Sequence, residues 1–89
     1  MKFMVTHMLP PDTTEEEAGE IQELTQRRGE VHGLLSFMNL SQGFAFCIYD
    51  APDEDALVEW LRHMDLSYDD ILPVEYEGAG GQLHKATAA

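Results

Sequence analysis

The chain has 89 residues, the length of one small domain. Asp and Glu outnumber Lys and Arg by 17 to 5, which gives a net charge of −12 at pH 7. A surface this negative repels the phosphates of nucleic acids and of anionic lipids, so we expect neither nucleic acid nor a membrane as a partner. Cys47 is the only cysteine, and no signal peptide or membrane span stands out, which together predict a cytoplasmic protein.

The first two elements are a strand and a helix. Apolar residues predict the strand over residues 2–9, and Pro10 ends it. A capping box that starts at Thr13 or Thr14, followed by acidic residues in the first turn, predicts the helix over residues 13–28.

Two strands, a helix and a last strand follow. The strands cover residues 31–40 and 43–50, and the short turn between them predicts a hairpin. In the second helix, Trp60 lies at the centre of the apolar stripe, where we expect it to anchor the helix. The last strand covers residues 71–76, and Pro73 places it at an edge of the sheet because proline cannot donate a ladder hydrogen bond.

The order β-α-β-β-α-β is that of the ferredoxin-like fold. We therefore predict an α+β domain over residues 1–77, with a four-stranded antiparallel sheet and two helices on one face. Residues 78–89, with the sequence GAGGQLHKATAA, are expected to form a flexible tail.

The first three strands are apolar on both faces, whereas a half-exposed sheet normally alternates apolar and polar residues. In the third strand, two apolar sets alternate: Phe44, Phe46 and Ile48 against Ala45, Cys47 and Tyr49. Two helices can cover only one face. We therefore expect a homodimer in which a second copy covers the open face.

Three residues are candidate ligands of a divalent transition metal: His7, His32 and Cys47. His7 lies among apolar residues of the first strand, and His32 begins the second strand on the face of Leu34 and Ser36. No linear Cys and His spacing marks a metal motif. The alternative is structural, with His7 hydrogen-bonded in the core and Cys47 acting as a small apolar residue.

An enzyme would use the same region differently. His7 and Tyr49 are the candidate acid and base, and Trp60, Tyr68 and Asp50 are expected to line a pocket between sheet and helices. Such a site would suit an isomerase, a cyclase or a cofactor-free oxygenase. A binding or regulatory dimer without catalysis is the third hypothesis.

Residues 36–74 resemble a family of small bacterial proteins of unknown function that includes a nickel-binding member. The resemblance rests on three stretches: Ser36-Phe37, Phe46-Cys47-Ile48-Tyr49-Asp50-Ala51-Pro52 before an acidic helix start, and Asp69-Asp70-Ile71 with Val74. It implies a dimeric α+β barrel, with nickel or another divalent transition metal as the ligand. This chain has Trp60 and Leu35 where the family usually has histidine.

The size and element order are also similar to those of muconolactone isomerase, which supports the enzyme hypothesis by fold analogy alone. Taken together, the residues and the resemblance predict a cytoplasmic homodimer that binds a metal such as nickel. A small-molecule enzyme and a non-catalytic binding dimer are the alternatives.

Overall fold

The computed structural model describes residues 1–26 and 29–86. The elements in chain order are β1 (Lys2–Met8), α1 (Glu15–Leu24), β2 (His32–Asn39), β3 (Phe44–Asp50), α2 (Glu54–His63), β4 (Asp70–Pro73), β5 (Tyr76–Ala79) and β6 (Gln82–Lys85). The first four strands form one antiparallel sheet in the order β2-β3-β1-β4, and the predicted ferredoxin-like α+β fold is confirmed. Among the described residues, no helix is long and apolar enough to span a membrane.

Polar side chains begin both helices. The Thr14 hydroxyl accepts a hydrogen bond from the Glu17 backbone N–H at 3.1 Å, and the Glu17 carboxylate accepts one from the Thr14 N–H at 3.2 Å, so the capping box starts at Thr14. Asp53 caps α2 by accepting a hydrogen bond from the Ala56 N–H at 2.8 Å. The predicted extension of α1 to residue 28 partly falls outside the described residues, and α1 itself ends at Leu24.

The core lies between one face of the sheet and the two helices. Leu57 and Leu61 of α2 are completely buried against the strand residues that face them: Phe3, Val5, Ala45, Cys47 and Tyr49. Trp60 is only partly buried, and its ring packs on Tyr49 with 5.5 Å between ring centroids. Leu57 and Leu61 therefore anchor α2 more deeply than Trp60, which the sequence placed at the centre of the stripe.

A β-bulge at Leu34 decides which way the side chains of β2 point. Leu34 has no opposite residue on β3, whereas His32 lies opposite Asp50 and Ser36 lies opposite Cys47. Asp50 and Cys47 are three positions apart on β3, so they point to opposite faces of the sheet. His32 therefore lies on the open face and Ser36 on the covered face. Their assignment to a common face was wrong because a bulge interrupts the alternation of side chains.

The open face of the sheet is rich in large apolar side chains. Five of them are exposed: Met8, Leu35, Phe37, Phe44 and Leu72. Phe37, near the middle of β2, is 62% exposed. The sheet thus has an apolar surface on both faces, and the described residues of one chain cover only one of them.

The segment expected to be a flexible tail contains part of a hairpin formed by β5 and β6. Its turn is made by Gly80 and Gly81, whose φ angles of 59° and 78° suit the left-handed turns that join antiparallel strands. The Lys2 ammonium group donates to both carboxylate oxygens of Glu77, at 2.9 and 3.1 Å. A glycine-rich sequence suits both a flexible tail and a tight turn, so the glycines alone did not indicate this hairpin.

We expect Leu61→Ala to lower the free energy of unfolding by about 2–5 kcal/mol, because it removes a completely buried side chain from the contact between α2 and the sheet. Urea unfolding followed by circular dichroism would measure the change. Glu59→Ala, at an exposed position of the same helix, should change stability by less than about 0.5 kcal/mol. Similar losses in the two variants would contradict this account of the core.

Candidate functional site

A cavity of about 220 Å³ lies between α1 and the covered face of the sheet. It extends from the C-terminal part of β1 to β2, β3 and the loop after α2. Three of the side chains that line it are short: Ala18 on α1, and Ser36 and Ala45 on the sheet. These three short side chains leave space between the longer ones that surround them.

His7 lies at the wall of this cavity and is 5% exposed. Its Nδ1 atom is 2.7 Å from the carbonyl oxygen of Ser67. A carbonyl can only accept a hydrogen bond, so Nδ1 carries a proton. The other ring nitrogen, Nε2, then faces the hydroxyl of Tyr49 at 3.3 Å. The Ser67 contact therefore fixes both the tautomer of a neutral His7 ring and its orientation.

Cys47 lies beside His7 and has no disulfide partner. The hydroxyl of Ser36 donates a hydrogen bond to its sulfur at 3.2 Å. Burial raises the pKa of the thiol, but hydrogen bonds from His7 and Ser36 and the positive charge of His7 outweigh it, so the pKa of Cys47 lies below its ordinary value. Cys47 is thus a thiol that loses its proton more readily than a free cysteine.

The pKa of His7 moves in the opposite direction. Burial lowers it, but the hydrogen bonds with Cys47 and with the Ser67 carbonyl, together with the negative charges of Cys47 and Asp69, raise it above its ordinary 6.5. Burial and the neighbouring Cys47 also raise the pKa of Tyr49, which keeps its hydroxyl proton. Relative to the free side chains, both shifts favour the charged forms, thiolate for Cys47 and imidazolium for His7, and the Tyr49 phenol is an additional donor.

Such a pair has two chemical uses. A thiolate flanked by an imidazolium is a nucleophile, as in cysteine enzymes. After His7 loses its extra proton, imidazole nitrogen and thiolate sulfur are also ligands for a transition metal. Among the described residues, however, no group of three or more His, Cys, Asp and Glu side chains is placed to share one metal ion.

The structure brings together only some of the predicted site residues. His7, Cys47 and Tyr49 line the cavity, whereas Trp60 and Tyr68 do not. Trp60 packs on Tyr49, and Tyr68 is exposed in the loop before β4.

The two remaining candidates lie on the open face of the sheet. The carboxylate of Asp50 contacts the amino group of Met1 at 3.1 Å and does not line the cavity. His32, opposite Asp50, is separated from His7 and Cys47 by the thickness of the sheet. Of the three predicted metal ligands, the structure thus places His7 and Cys47 side by side and His32 elsewhere.

Two contributors to the site were not predicted. Ser36 could have been found, because pairing of β2 with β3 places it opposite Cys47. The Ser67 carbonyl had no signal in the sequence, since a backbone group on a loop gains its role only when the chain folds.

Iodoacetamide alkylates the thiolate, so the lowered pKa of Cys47 predicts a shift in the pH dependence of its alkylation, while burial of the side chain slows the reaction at every pH. The midpoint of the rate against pH should lie below that of a free thiol. It should rise in His7→Gln, which loses the charged ring, and stay unchanged in His63→Gln on α2. Mass spectrometry can follow the reaction because the chain has one cysteine. A midpoint at or above that of a free thiol would contradict the pairing.

Comparison with known proteins agrees with the resemblance found in the sequence. Residues 3–74 match the family model described as nickel responsive protein SCO4226-like. No curated protein and no solved structure gives a significant match. The family match extends from β1 through β4 and contains His7, Cys47 and Tyr49. Because it spans most of the chain, the protein belongs to the SCO4226-like family of nickel responsive proteins.

Proposed function

We propose that the protein is a cytoplasmic homodimer that reversibly binds a divalent transition metal such as nickel through His7 and Cys47. The observation that carries the proposal is the contact between a buried imidazole and a thiol of lowered pKa at the wall of a cavity. The description of the family as nickel responsive supports the choice of metal.

The chemistry of the two side chains fits nickel. Imidazole suits nickel, copper and zinc, and thiolate is a strong ligand for the softer of these ions. The Ser67 carbonyl holds Nδ1 of His7 at 2.7 Å, which leaves Nε2 as the metal-binding nitrogen. When a histidine binds a metal through one ring nitrogen, its other ring nitrogen typically donates a hydrogen bond of this kind.

Two protein ligands make an open site. Structural zinc sites use four protein ligands and close the metal off from water. A metal held by His7 and Cys47 would complete its coordination with water or small ligands. Such a site exchanges its metal readily, which suits a protein that responds to nickel more than one that needs a metal in order to fold.

The dimer part of the proposal rests on the open face of the sheet. Its exposed apolar side chains, Phe37 foremost, would contact water in a monomer. A second copy offers the same surface, and two sheets can pack face to face about a two-fold axis. His7 and Cys47 lie on the opposite face, so each subunit would keep its own metal site.

The metal proposal predicts that His7→Gln and Cys47→Ala each lower nickel affinity by at least about tenfold, because each removes one of two protein ligands. Isothermal titration calorimetry would measure the affinity. His32→Asn and His84→Asn are the matched controls, since they remove histidines outside the site, and both should bind nickel as the wild type does. Equal affinity in wild type and His7→Gln would remove His7 from the site.

Nickel affinity should also fall as the pH falls, because protons compete with the metal for both ligands. The raised pKa of His7 means that its ring takes up a proton already above pH 6.5, so the loss should begin there. An affinity that stays constant down to pH 6.5 would contradict ligation by His7.

For the dimer, light scattering should give twice the mass of one chain for the wild type. Phe37→Asp places a charge in the middle of the open face and should give the mass of one chain. Arg62→Gln, on the exposed surface of α2, changes the net charge by the same amount and should leave the dimer intact. A wild-type protein that runs as a single chain at micromolar concentration would contradict the dimer.

A further inference from the structure

We infer that the cavity beneath α1 is a binding site for a small, uncharged, mostly apolar organic molecule that carries one hydrogen-bonding oxygen. This inference is independent of the metal proposal, because it rests on the shape and lining of the cavity and needs no metal ion.

The packing of α1 is the first reason. Small organic ligands usually bind in concave, mostly apolar pockets that exist before the ligand arrives. Ala18 is the only residue of α1 that is buried, and the cavity of about 220 Å³ lies directly beneath it. An apolar cavity of 150 Å³ is large enough to bind benzene, so this one has room for a molecule of about nine non-hydrogen atoms.

The lining defines the chemistry of the ligand. The apolar walls consist mainly of Leu9, Ile21, Met38 and Leu66. The buried side chains of the lining that carry a polar group are those of His7, Thr25, Cys47 and Tyr49. The Tyr49 hydroxyl is 3.3 Å from Nε2 of His7, which is long for a hydrogen bond from a hydroxyl. A ligand oxygen could therefore accept the hydrogen bond of the Tyr49 hydroxyl, because the contact with His7 that it would replace is weak.

The charges around the cavity also restrict which ligands it can bind. Glu17 and Asp65 border the cavity, and its described lining residues include no Lys or Arg. A positive charge on His7 is balanced by the Cys47 thiolate beside it, so an anion would be repelled. An organic cation would meet only the exposed carboxylates of Glu17 and Asp65, whose attraction is screened by solvent, since none of the buried polar side chains of the lining is a carboxylate. An uncharged alcohol, ketone or amide on a ring matches both the walls and the polar end.

The test uses the whole protein, freed of metal by a chelator, and three uncharged probes: benzamide, benzyl alcohol and acetophenone. Benzoate is the charged control, because it has nearly the same shape as benzamide but carries a negative charge. Two-dimensional NMR should show saturable shifts at the backbone amides of His7, Ala45 and Leu66 with at least one uncharged probe. Benzoate should bind at least about tenfold more weakly than benzamide.

A variant that fills the cavity completes the test. Ala18→Leu places a larger side chain in the cavity and should weaken probe binding at least tenfold, while Glu20→Leu adds the same side chain at an exposed position of α1 and should leave it unchanged. If Ala18→Leu does not fold, Ala45→Val takes its place. Neither variant alters His7 or Cys47, so each should still bind nickel. Nickel binding is measured in a separate titration, and the metal proposal and the cavity proposal can therefore fail independently.

Three results would overturn the inference. The first is the absence of saturable shifts with all three uncharged probes. The second is binding of benzoate as tight as that of benzamide. The third is unchanged probe binding in the folded variant whose cavity is filled.

Discussion

The antiparallel pairing of β1 with β3 at the centre of the sheet is the constraint on which the site depends. In this register Val5 lies opposite Cys47 and His7 lies opposite Ala45. His7 and Cys47 are therefore diagonal neighbours on one face, at a spacing that long side chains can bridge. A shift of one residue would turn His7 to the opposite face and separate the pair.

The core holds this register in place. Leu57 and Leu61 are completely buried against the same face that carries His7 and Cys47. Slippage of β1 would expose Phe3 and Val5, which are as deeply buried, so the apolar contacts that stabilise the fold also fix the two polar groups. Besides this core, only two hydrogen bonds hold the pair in place: one from His7 to the Ser67 carbonyl and one from the Ser36 hydroxyl to Cys47.

The buried polar groups are also satisfied by one another. Among the described residues, no buried side-chain nitrogen or oxygen lacks a hydrogen-bond partner. An unpaired imidazole would destabilise the core, whereas His7 has the Ser67 carbonyl on one ring nitrogen and Tyr49 and Cys47 near the other. The structural and the functional explanations of His7 are therefore compatible, because the contacts that make the histidine tolerable in the core also orient it toward the cavity.

Periodicity and turn residues in the sequence by themselves determined the order of the first six elements, the edge position of β4 and the apolar character of both sheet faces. These are local properties, since each depends on residues close together in the chain. Three features were decided only by the tertiary structure. The bulge at Leu34 moved His32 to the open face, the Ser67 carbonyl fixed the ring of His7, and the small side chain of Ala18 left a cavity under α1. Each depends on which distant segments meet, and that information becomes available only when the chain has packed.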